Sequence, residues 1–140
     1  MFFATKRATV LIPSGSVDRP DLLHLFVLLC DPFGQPPKCL LVSLSTVRQN
    51  AYHDPACLLY AGDHPFVKQT SYVKYSTCRL EESAKLVRAV EAGIFRQHDM
   101  MDGAIVARII RACLSSRHTP REIKDLIVAN GWVDAGEEAL

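Results

Sequence analysis

The sequence lacks an excess of charge of either sign. Its 140 residues include 16 lysines and arginines and 15 aspartates and glutamates, which gives a formal net charge of +1. A chain so close to neutral has no general affinity for polyanions, although a local basic patch is compatible with it. Because 49% of the residues are hydrophobic and 22% are charged, the composition predicts a folded protein, and the length predicts a single domain over residues 1–140.

Paired cysteines are also lacking. The five cysteines form no CxxC pattern, and the two nearest to each other are nine residues apart. An odd number of widely spaced cysteines argues against a disulfide framework and against a zinc ribbon. Most of them lie in apolar runs, so we interpret them as small buried side chains of a protein from a reducing cytoplasm. The five are Cys30, Cys39, Cys57, Cys78 and Cys113.

Long hydrophobic runs and the common catalytic motifs are absent as well. The longest apolar stretch, residues 22–30, is interrupted by His24 and is too short to cross a bilayer. The basic pair near the N-terminus follows the first apolar residues, which is the reverse of the order in a secretory signal. The sequence has no P-loop, GxGxxG, GxSxG or HExxH pattern. We therefore expect a cytoplasmic protein with no membrane association, no bound metal and no cofactor.

The spacing of the apolar residues changes near residue 79. Before it, five short apolar runs are separated by loops rich in proline and glycine, which indicates an antiparallel sheet curled toward a small barrel. The second run is continuously apolar, so we expect it to lie inside the sheet with both faces buried. We therefore divide the domain into a barrel part, 1–79, and a helical part, 80–140. The predicted strands are 8–12, 22–30, 39–47, 57–60 and 72–78.

After residue 79 the apolar residues recur at helical spacing, which predicts about three helices and an α+β fold class. The first helix is expected over residues 81–92, with Glu81 and Glu82 in its first turn, where the helix dipole favours acidic side chains. Asp102 is expected to cap the second helix. Thr119, followed by proline and then by glutamate three residues on, is expected to cap the third.

The turn at residues 62–65, Gly-Asp-His-Pro, separates an apolar run from a β-rich run. Its histidine, His64, is the side chain best suited to move a proton near neutral pH, so it is a candidate general acid or base, or an anion contact. The alternative is structural, because Asp63 and Pro65 can form the turn while His64 closes the edge of the sheet. The residue pattern leaves both interpretations open.

Several polar and cationic residues lie near predicted strand ends. The hydroxyls of Ser45 and Thr46 can bind a phosphate or can satisfy a neighbouring backbone group. Arg19 and Arg48 flank strands, where an arginine can bind phosphate through two hydrogen bonds or can simply be solvated. Near the turn, Lys68, Ser71 and Tyr72 can belong to the same site, although a solvated lysine and a hydroxyl that serves the turn are the structural alternatives for Lys68 and Ser71.

Two segments resemble the PemK/MazF-like toxins of toxin–antitoxin modules. They are the Leu-Ser-Thr strand end at 44–46 and the Ser-Tyr-Val-Lys-Tyr run at 71–75, and the Gly-Asp-His-Pro-Phe turn at 62–66 is similar to that of one divergent branch. The resemblance covers residues 8–95. It implies an SH3-like barrel and metal-independent cleavage of single-stranded RNA. In that reaction a ribose 2′-hydroxyl attacks the adjacent phosphate, leaving a 2′,3′-cyclic phosphate and a 5′-hydroxyl.

The resemblance also implies roles for individual residues. Arg19 and Thr46 match the places of the catalytic arginine and threonine, and His64 is suited to protonate the leaving 5′-oxygen. The implied partners are an antitoxin protein, single-stranded RNA and a second copy of the chain. The expected substrate-binding residues are Ser45, Arg48, Lys68, Ser71 and Tyr72, with Tyr52, Tyr60 and Phe66 as further candidates for base stacking.

Two other functions are compatible with the residues. One is a non-catalytic barrel that binds a protein or a nucleic acid, and the other is a metal-free hydrolase that acts on a different substrate. The enzyme hypothesis predicts that His64, Arg19 and Thr46 lie around one cleft. The binding-module hypothesis predicts that these three are scattered and that an apolar patch is exposed instead.

Overall fold

A computed structural model describes residues 1–15, 18–19 and 21–133. In this part of the chain six antiparallel strands form one sheet and three helices pack on it, which confirms the predicted α+β class. None of the described helices is long and apolar enough to span a membrane. The elements in chain order are β1 (Thr9–Pro13), β2 (Leu23–Leu28), β3 (Lys38–Thr46), β4 (Leu58–Leu59), β5 (Ser71–Glu82), α1 (Ser83–Glu91), β6 (Arg96–His98), α2 (Gly103–Ser115) and α3 (Arg121–Ala129).

The strands are hydrogen-bonded in the order β4-β5-β3-β2-β1-β6. β2 therefore lies inside the sheet, as its continuous apolar sequence predicted, and its side chains alternate between the two faces. Leu25 and Val27 pack in one core, whereas Phe26 and Leu28 pack in the other. A single sheet thus separates two cores.

The larger core lies between the sheet and the helices α2 and α3. Ile109 of α2 and Ile127 of α3 are fully buried in it. Tyr75 of β5 is buried there too, and its hydroxyl donates a 2.6 Å hydrogen bond to the carbonyl of Ile109. A buried phenol needs such a partner, so this bond holds α2 against β5.

The smaller core covers only part of the opposite face. Phe2 from the N-terminal segment and Leu86 from α1 pack with Phe26 and Leu28 of β2. These apolar side chains occupy the half of the face nearest to α1. Burial of this kind stabilises a fold by roughly 1.5–3 kcal/mol for each large apolar side chain. The side chains in this half of the face therefore stabilise the fold.

The other half of this face carries polar side chains, and we call it the open face. It is formed by His24 of β2, by Ser43 and Ser45 of β3, and by Tyr72 and Lys74 of β5. Ser43 pairs with Lys74, and Ser45 pairs with Tyr72. Because alternate residues of a strand share a face, the register sets these polar side chains side by side across the sheet.

An irregularity in β5 decides which of its side chains reach the open face. Leu41 pairs with Arg79, but Ser43, two residues further along β3, pairs with Lys74, five residues back along β5. Regular pairing would place Ser43 opposite residue 77, so β5 contains three more residues than β3 over this interval. Because three is an odd number, even-numbered side chains of β5 lie on opposite faces of the sheet before and after the irregularity. The hydroxyl of Thr77 fills the gap in the ladder, accepting a 3.0 Å hydrogen bond from the Ser43 amide and donating a 2.7 Å bond to the Lys74 carbonyl.

The boundary between the strand-rich and helix-rich parts differs from the prediction. β5 extends to Glu82 through its pairing with β3, so Glu81 and Glu82 belong to a strand, and α1 has no acidic residue in its first turn. β6 was not predicted, because its three polar residues, Arg-Gln-His, show no strand periodicity; it pairs with β1 at the edge of the sheet. Residues 80–140 are therefore not wholly helical.

The helix caps agree with the prediction in one case and not in the other. Asp102 caps α2, and its carboxylate accepts a 2.8 Å hydrogen bond from the Ala104 amide. Thr119 does not cap α3. Its buried hydroxyl donates a 2.7 Å hydrogen bond to the carbonyl of Cys113 in α2, and Pro120 occupies the N-cap position. The threonine is thus used to join two helices instead of starting one.

Candidate functional site

A cavity of about 480 Å³ lies where β3 ends and β5 begins. It extends from the open face around the strand ends to the loop that precedes β5. Six of the eight site residues predicted from the sequence line it, because the antiparallel pairing of β3 with β5 places two separate polar segments together. The six are Ser45, Thr46, Arg48, Lys68, Ser71 and Tyr72.

The charge of the cavity is of one sign. Arg48 and Lys68 supply cations, and none of the described residues that line the cavity is acidic. Lys74 lies close enough to His24 for its charge to lower the pKa of that imidazole, which adds a third cation nearby. In a chain with nearly equal numbers of acids and bases, this local imbalance favours an anionic ligand.

Two of the cavity's hydroxyls are free to bind a ligand. The side chains of Ser45 and Thr46 are half-buried at the end of β3, and neither hydroxyl forms a hydrogen bond with a described residue. The hydroxyl of Ser71 is engaged instead, since it donates a 3.0 Å hydrogen bond to the carbonyl of Gln69. Ser43, further from the cavity, is engaged as well, with its hydroxyl 2.8 Å from that of Thr77.

Aromatic rings form another part of the cavity wall. Tyr52, Phe66 and Tyr72 line it, whereas Tyr60, the fourth stacking candidate, is exposed elsewhere. The Tyr52 hydroxyl lies 2.9 Å from Nε2 of His118, which steadies an otherwise exposed ring. Such rings offer flat apolar surfaces on which a nucleic-acid base can stack.

A second depression continues the cavity along β5. It has a volume of about 310 Å³, shares Tyr52 and Tyr72 with the first, and adds Lys74 and His118. Its carboxylate, Asp54, is buried and accepts hydrogen bonds from Ser116 and from the amide of Ala56. The two depressions therefore form one groove whose exposed charges are cationic.

His64 does not line this groove. Its ring is 2% exposed, Nε2 lies 2.6 Å from the carbonyl of Asp99, and Nδ1 accepts a 3.0 Å hydrogen bond from the Phe66 amide. Burial lowers the pKa of His64 below its ordinary value, although the bond to Asp99 opposes this effect. Both ring nitrogens are occupied within the protein, so the geometry fits the structural alternative: His64 ties the turn to the segment after β6.

The carboxylate beside His64 also has a structural contact. Asp63 accepts a 2.8 Å hydrogen bond from the amide of Tyr60, and its carboxylate lies 3.9 Å from the guanidinium of Arg108 in α2. Gly62 has a φ of 99°, a left-handed conformation that glycine adopts without strain. The Gly-Asp-His residues of this turn are thus each explained by the geometry of the turn itself.

Arg19 lies outside the cavity wall. It is exposed on the loop between β1 and β2, and its carbonyl accepts a 3.1 Å hydrogen bond from the amide of Leu22, which does line the cavity. A side chain at Gly15 would collide with the Arg19 carbonyl, so this loop needs glycine at that position. Of His64, Arg19 and Thr46, which the enzyme hypothesis placed around one cleft, only Thr46 lines the cavity.

Sequence reasoning missed His24. Its half-buried side chain lines the cavity from β2, and Nδ1 lies 2.8 Å from Oγ of Ser14. Burial lowers the pKa of His24, and the positive charge of Lys74 lowers it further. The available signal was a histidine that interrupts a strand otherwise composed of apolar residues.

Four of the cysteines are poor candidates for nucleophiles, and the fifth is inaccessible: contact with the Cys78 thiol lowers the pKa of Cys113, but Cys113 is fully buried. All five are free and buried. Burial raises the pKa of the Cys39 thiol to about 12, and it raises the pKa of Cys30 and of Cys57. A thiol reacts through its thiolate form, so these side chains are unreactive at neutral pH. Within the described ranges no three histidine, cysteine or acidic side chains gather in a way that could hold a metal ion.

Known proteins do not supply an identity for this groove. Comparisons of the chain with protein-family models, with curated proteins and with solved structures find no match. The chemistry of the groove must therefore follow from its own residues.

Proposed function

We propose that the groove binds single-stranded RNA and that the protein is a metal-independent endoribonuclease of the cytoplasm, a toxin similar to the PemK/MazF group. One observation carries this proposal. The cavity combines cations, free hydroxyls and aromatic rings, and none of its described lining residues is acidic. This is the combination of side chains that a strand of alternating phosphates and bases requires.

The cations account for phosphate binding. Arg48 presents a planar fork of donors that matches two phosphate oxygens, and Lys68 adds a point charge. Ser45 and Thr46 supply neutral donors whose hydroxyls have no described protein partner. An arginine with such donors can hold the phosphate and can also stabilise the extra negative charge that develops during attack by a 2′-hydroxyl.

The aromatic rings account for the preference for single strands. Stacking of a base on Tyr52, Phe66 or Tyr72 requires a base that is not already stacked and paired in a duplex. The second depression extends the groove past Tyr72 toward His118, which gives room for a neighbouring nucleotide. The groove therefore suits a short run of unpaired nucleotides.

Arg48 takes the role that the resemblance gives to Arg19 in this proposal, because Arg48 lines the cavity and Arg19 does not. Thr46 keeps its proposed role beside the phosphate. His64 is assigned no catalytic role, since its ring nitrogens are both bonded within the protein. The proposal includes an SH3-like barrel for the strand-rich part, a homodimer, and an antitoxin partner that neutralises the cationic groove.

A non-catalytic RNA-binding module is the second candidate. It is favoured by the positions of Arg19 and His64, which lie apart from Thr46 instead of around one cleft. A module of this kind would use the same cations and rings but would leave the RNA intact.

Digestion of RNA by the purified protein distinguishes the two. We expect single-stranded oligonucleotides to be cleaved in the presence of EDTA, with 5′-hydroxyl and 2′,3′-cyclic phosphate ends, and we expect an otherwise identical all-deoxy strand to remain intact. RNA that is bound but not cleaved across a pool of random sequences would contradict the endoribonuclease and support the module.

The binding half of the proposal has its own test. Replacing both cations, in the Arg48→Gln/Lys68→Gln variant, should reduce the slope of log affinity against log salt by about 0.7 for each phosphate that the protein no longer neutralises. Arg121→Gln is the matched control, because Arg121 is an exposed arginine of α3 on the other side of the sheet. Equal salt slopes for the two variants would show that RNA binds elsewhere.

A further inference from the structure

We propose that His24 is the general base of the cavity, accepting the proton of the attacking ribose 2′-hydroxyl at Nε2 while Ser14 holds its ring in place. This inference rests on the proposed function and adds to it the group that activates the nucleophile. Neither Arg48 nor Lys68 suits that task, since a guanidinium and an ammonium group are hydrogen-bond donors with no acceptor.

The hydrogen bonds of Ser14 fix the tautomer of His24. The Ser14 hydroxyl has a single proton, and it donates that proton to the carbonyl of Ile12 over 3.0 Å. The 2.8 Å contact between Ser14 Oγ and His24 Nδ1 must then use the proton of the ring. Nδ1 is therefore the protonated nitrogen of the neutral imidazole, and Nε2 carries the lone pair.

Nε2 of His24 has no hydrogen-bond partner among the described residues. The side chain is half-buried and lines the cavity, so this nitrogen is available to a ligand there. His64 is bonded in the opposite sense, with Nε2 directed to the Asp99 carbonyl and Nδ1 accepting from the Phe66 amide. Of these two buried imidazoles, His24 is the one with a basic nitrogen to offer.

The sheet places His24 beside the groups that would hold the phosphate. His24 pairs with Ile12 on one side. On its other side, the pairing of β2 with β3 reaches as far as Phe26 and Ser43, and His24 and Ser45, each two residues beyond that pair, both line the cavity. Ser45 in turn pairs with Tyr72. Residues of three strands thus bring a base, a hydroxyl and an aromatic ring to the same cavity wall.

The surroundings keep the imidazole neutral at physiological pH. Among the described residues, the charged groups that line the cavity or act on His24 are Lys74 from β5, Arg48 from the loop after β3 and Lys68 from the loop before β5, and none of them is acidic. The residue that follows β1, Ser14, contributes its hydroxyl. A base acts efficiently when it is unprotonated before the reaction and its conjugate acid forms within reach of neutral pH.

The step is balanced without a co-reactant. The proton of the 2′-hydroxyl passes to Nε2 as the 2′-oxygen forms its bond to phosphorus. The bond between phosphorus and the 5′-oxygen breaks, and its electron pair leaves with the 5′-oxygen, which takes a proton from solvent. The imidazolium then returns its proton to solvent, so the enzyme is restored and the RNA ends in a 2′,3′-cyclic phosphate and a 5′-hydroxyl.

Cleavage rates over a range of pH test this role. We expect His24→Gln to lower the single-turnover cleavage rate by about 100-fold or more, to remove the decline in rate at acidic pH, and to change RNA affinity only slightly. His118→Gln is the control for loss of a groove histidine that is not the base: because His118 contacts Tyr52, RNA affinity should fall, but the decline in rate at acidic pH should remain. Ser14→Ala should give a smaller loss of rate, since it releases the ring but retains the base.

The outcomes separate this inference from the proposed function. Wild-type cleavage with an unchanged rate and pH profile in His24→Gln would overturn the base and leave the endoribonuclease intact. RNA binding without cleavage by the wild type would overturn both. A measurement on the wild type alone guards against a variant that fails to fold: nitrogen-15 NMR should find the neutral His24 ring protonated at Nδ1, and a proton at Nε2 would overturn the inference.

Discussion

His64 and His24 share one property and differ in another. Burial lowers the pKa of both imidazoles. At the turn, both nitrogens of His64 are bonded to backbone groups, so the ring connects β4 and the following loop to the segment after β6. At the cavity, Nδ1 of His24 is bonded, Nε2 has no partner among the described residues, and the ring borders open space. The comparison shows that the unused hydrogen-bonding capacity of a buried side chain, more than its residue type, marks a candidate for chemistry.

The largest expected effect separates the two histidines by stability. His64→Ala should reduce the free energy of unfolding by about 2–4 kcal/mol, because it leaves the Asp99 carbonyl and the Phe66 amide without their partner and opens a cavity. His24→Ala should cost about 1 kcal/mol or less, since its ring is half exposed. Urea denaturation of both variants measures the difference. Equal losses would break the distinction between the turn and the cavity.

The pH dependence of stability should reflect the burial of His64. The folded protein holds the pKa of His64 below 6.5, so the unfolded chain binds more protons as the pH falls past that value. The stabilisation is therefore fully present above about pH 6.5 and is lost as the pH decreases, by at most about 1.4 kcal/mol per pH unit for one proton. Denaturation between pH 8 and 5 should show this decline, and His64→Gln should weaken it. A decline unaffected by His64→Gln would contradict this assignment.

The smallest expected effect concerns two serines of β3, one bonded within the protein and one free in the cavity. Ser43→Ala should cost about 1 kcal/mol of stability, because the Ser43 hydroxyl is bonded to Thr77. Ser45→Ala should change stability by less than about 0.5 kcal/mol and should instead slow RNA cleavage, since its hydroxyl is free in the cavity. Thermal unfolding and single-turnover cleavage of both variants provide the measurement. If Ser43→Ala slowed cleavage and Ser45→Ala reduced stability, the phosphate would bind away from the end of β3.

Much of the fold could be predicted because the responsible interactions are local. Strands β1, β2, β3 and β5 each lie largely within a predicted apolar run, and the Asp102 cap depends on amides two and three residues away. β6 could not be predicted, since it owes its conformation to pairing with β1 and not to its own residues. Thr119 has the composition of a cap but is used by the tertiary structure for a bond to α2.

The site could be predicted in part for a related reason. Ser45, Thr46 and Tyr72 gather because polar residues at strand ends meet wherever neighbouring antiparallel strands pair. His24 and His64 could not be ranked from the sequence, because their roles depend on which groups their ring nitrogens reach. For His64 the group is the Asp99 carbonyl, which belongs to a distant segment. For His24 it is the Ser14 hydroxyl, whose proton is donated to the carbonyl of Ile12.

The three extra residues of β5 make the surface of this protein sensitive to chain length. Loss of one or of all three of them would turn Tyr72 and Lys74 toward the larger core and Val73 toward the groove, whereas loss of two would preserve the present arrangement. A single deletion would thus put the apolar side chains of this part of β5 in the groove and its polar side chains in the core. In the evolution of such a sheet, a change of length at this point is a one-step route to gaining or losing a ligand, and gaps in an alignment carry information there that substitutions do not.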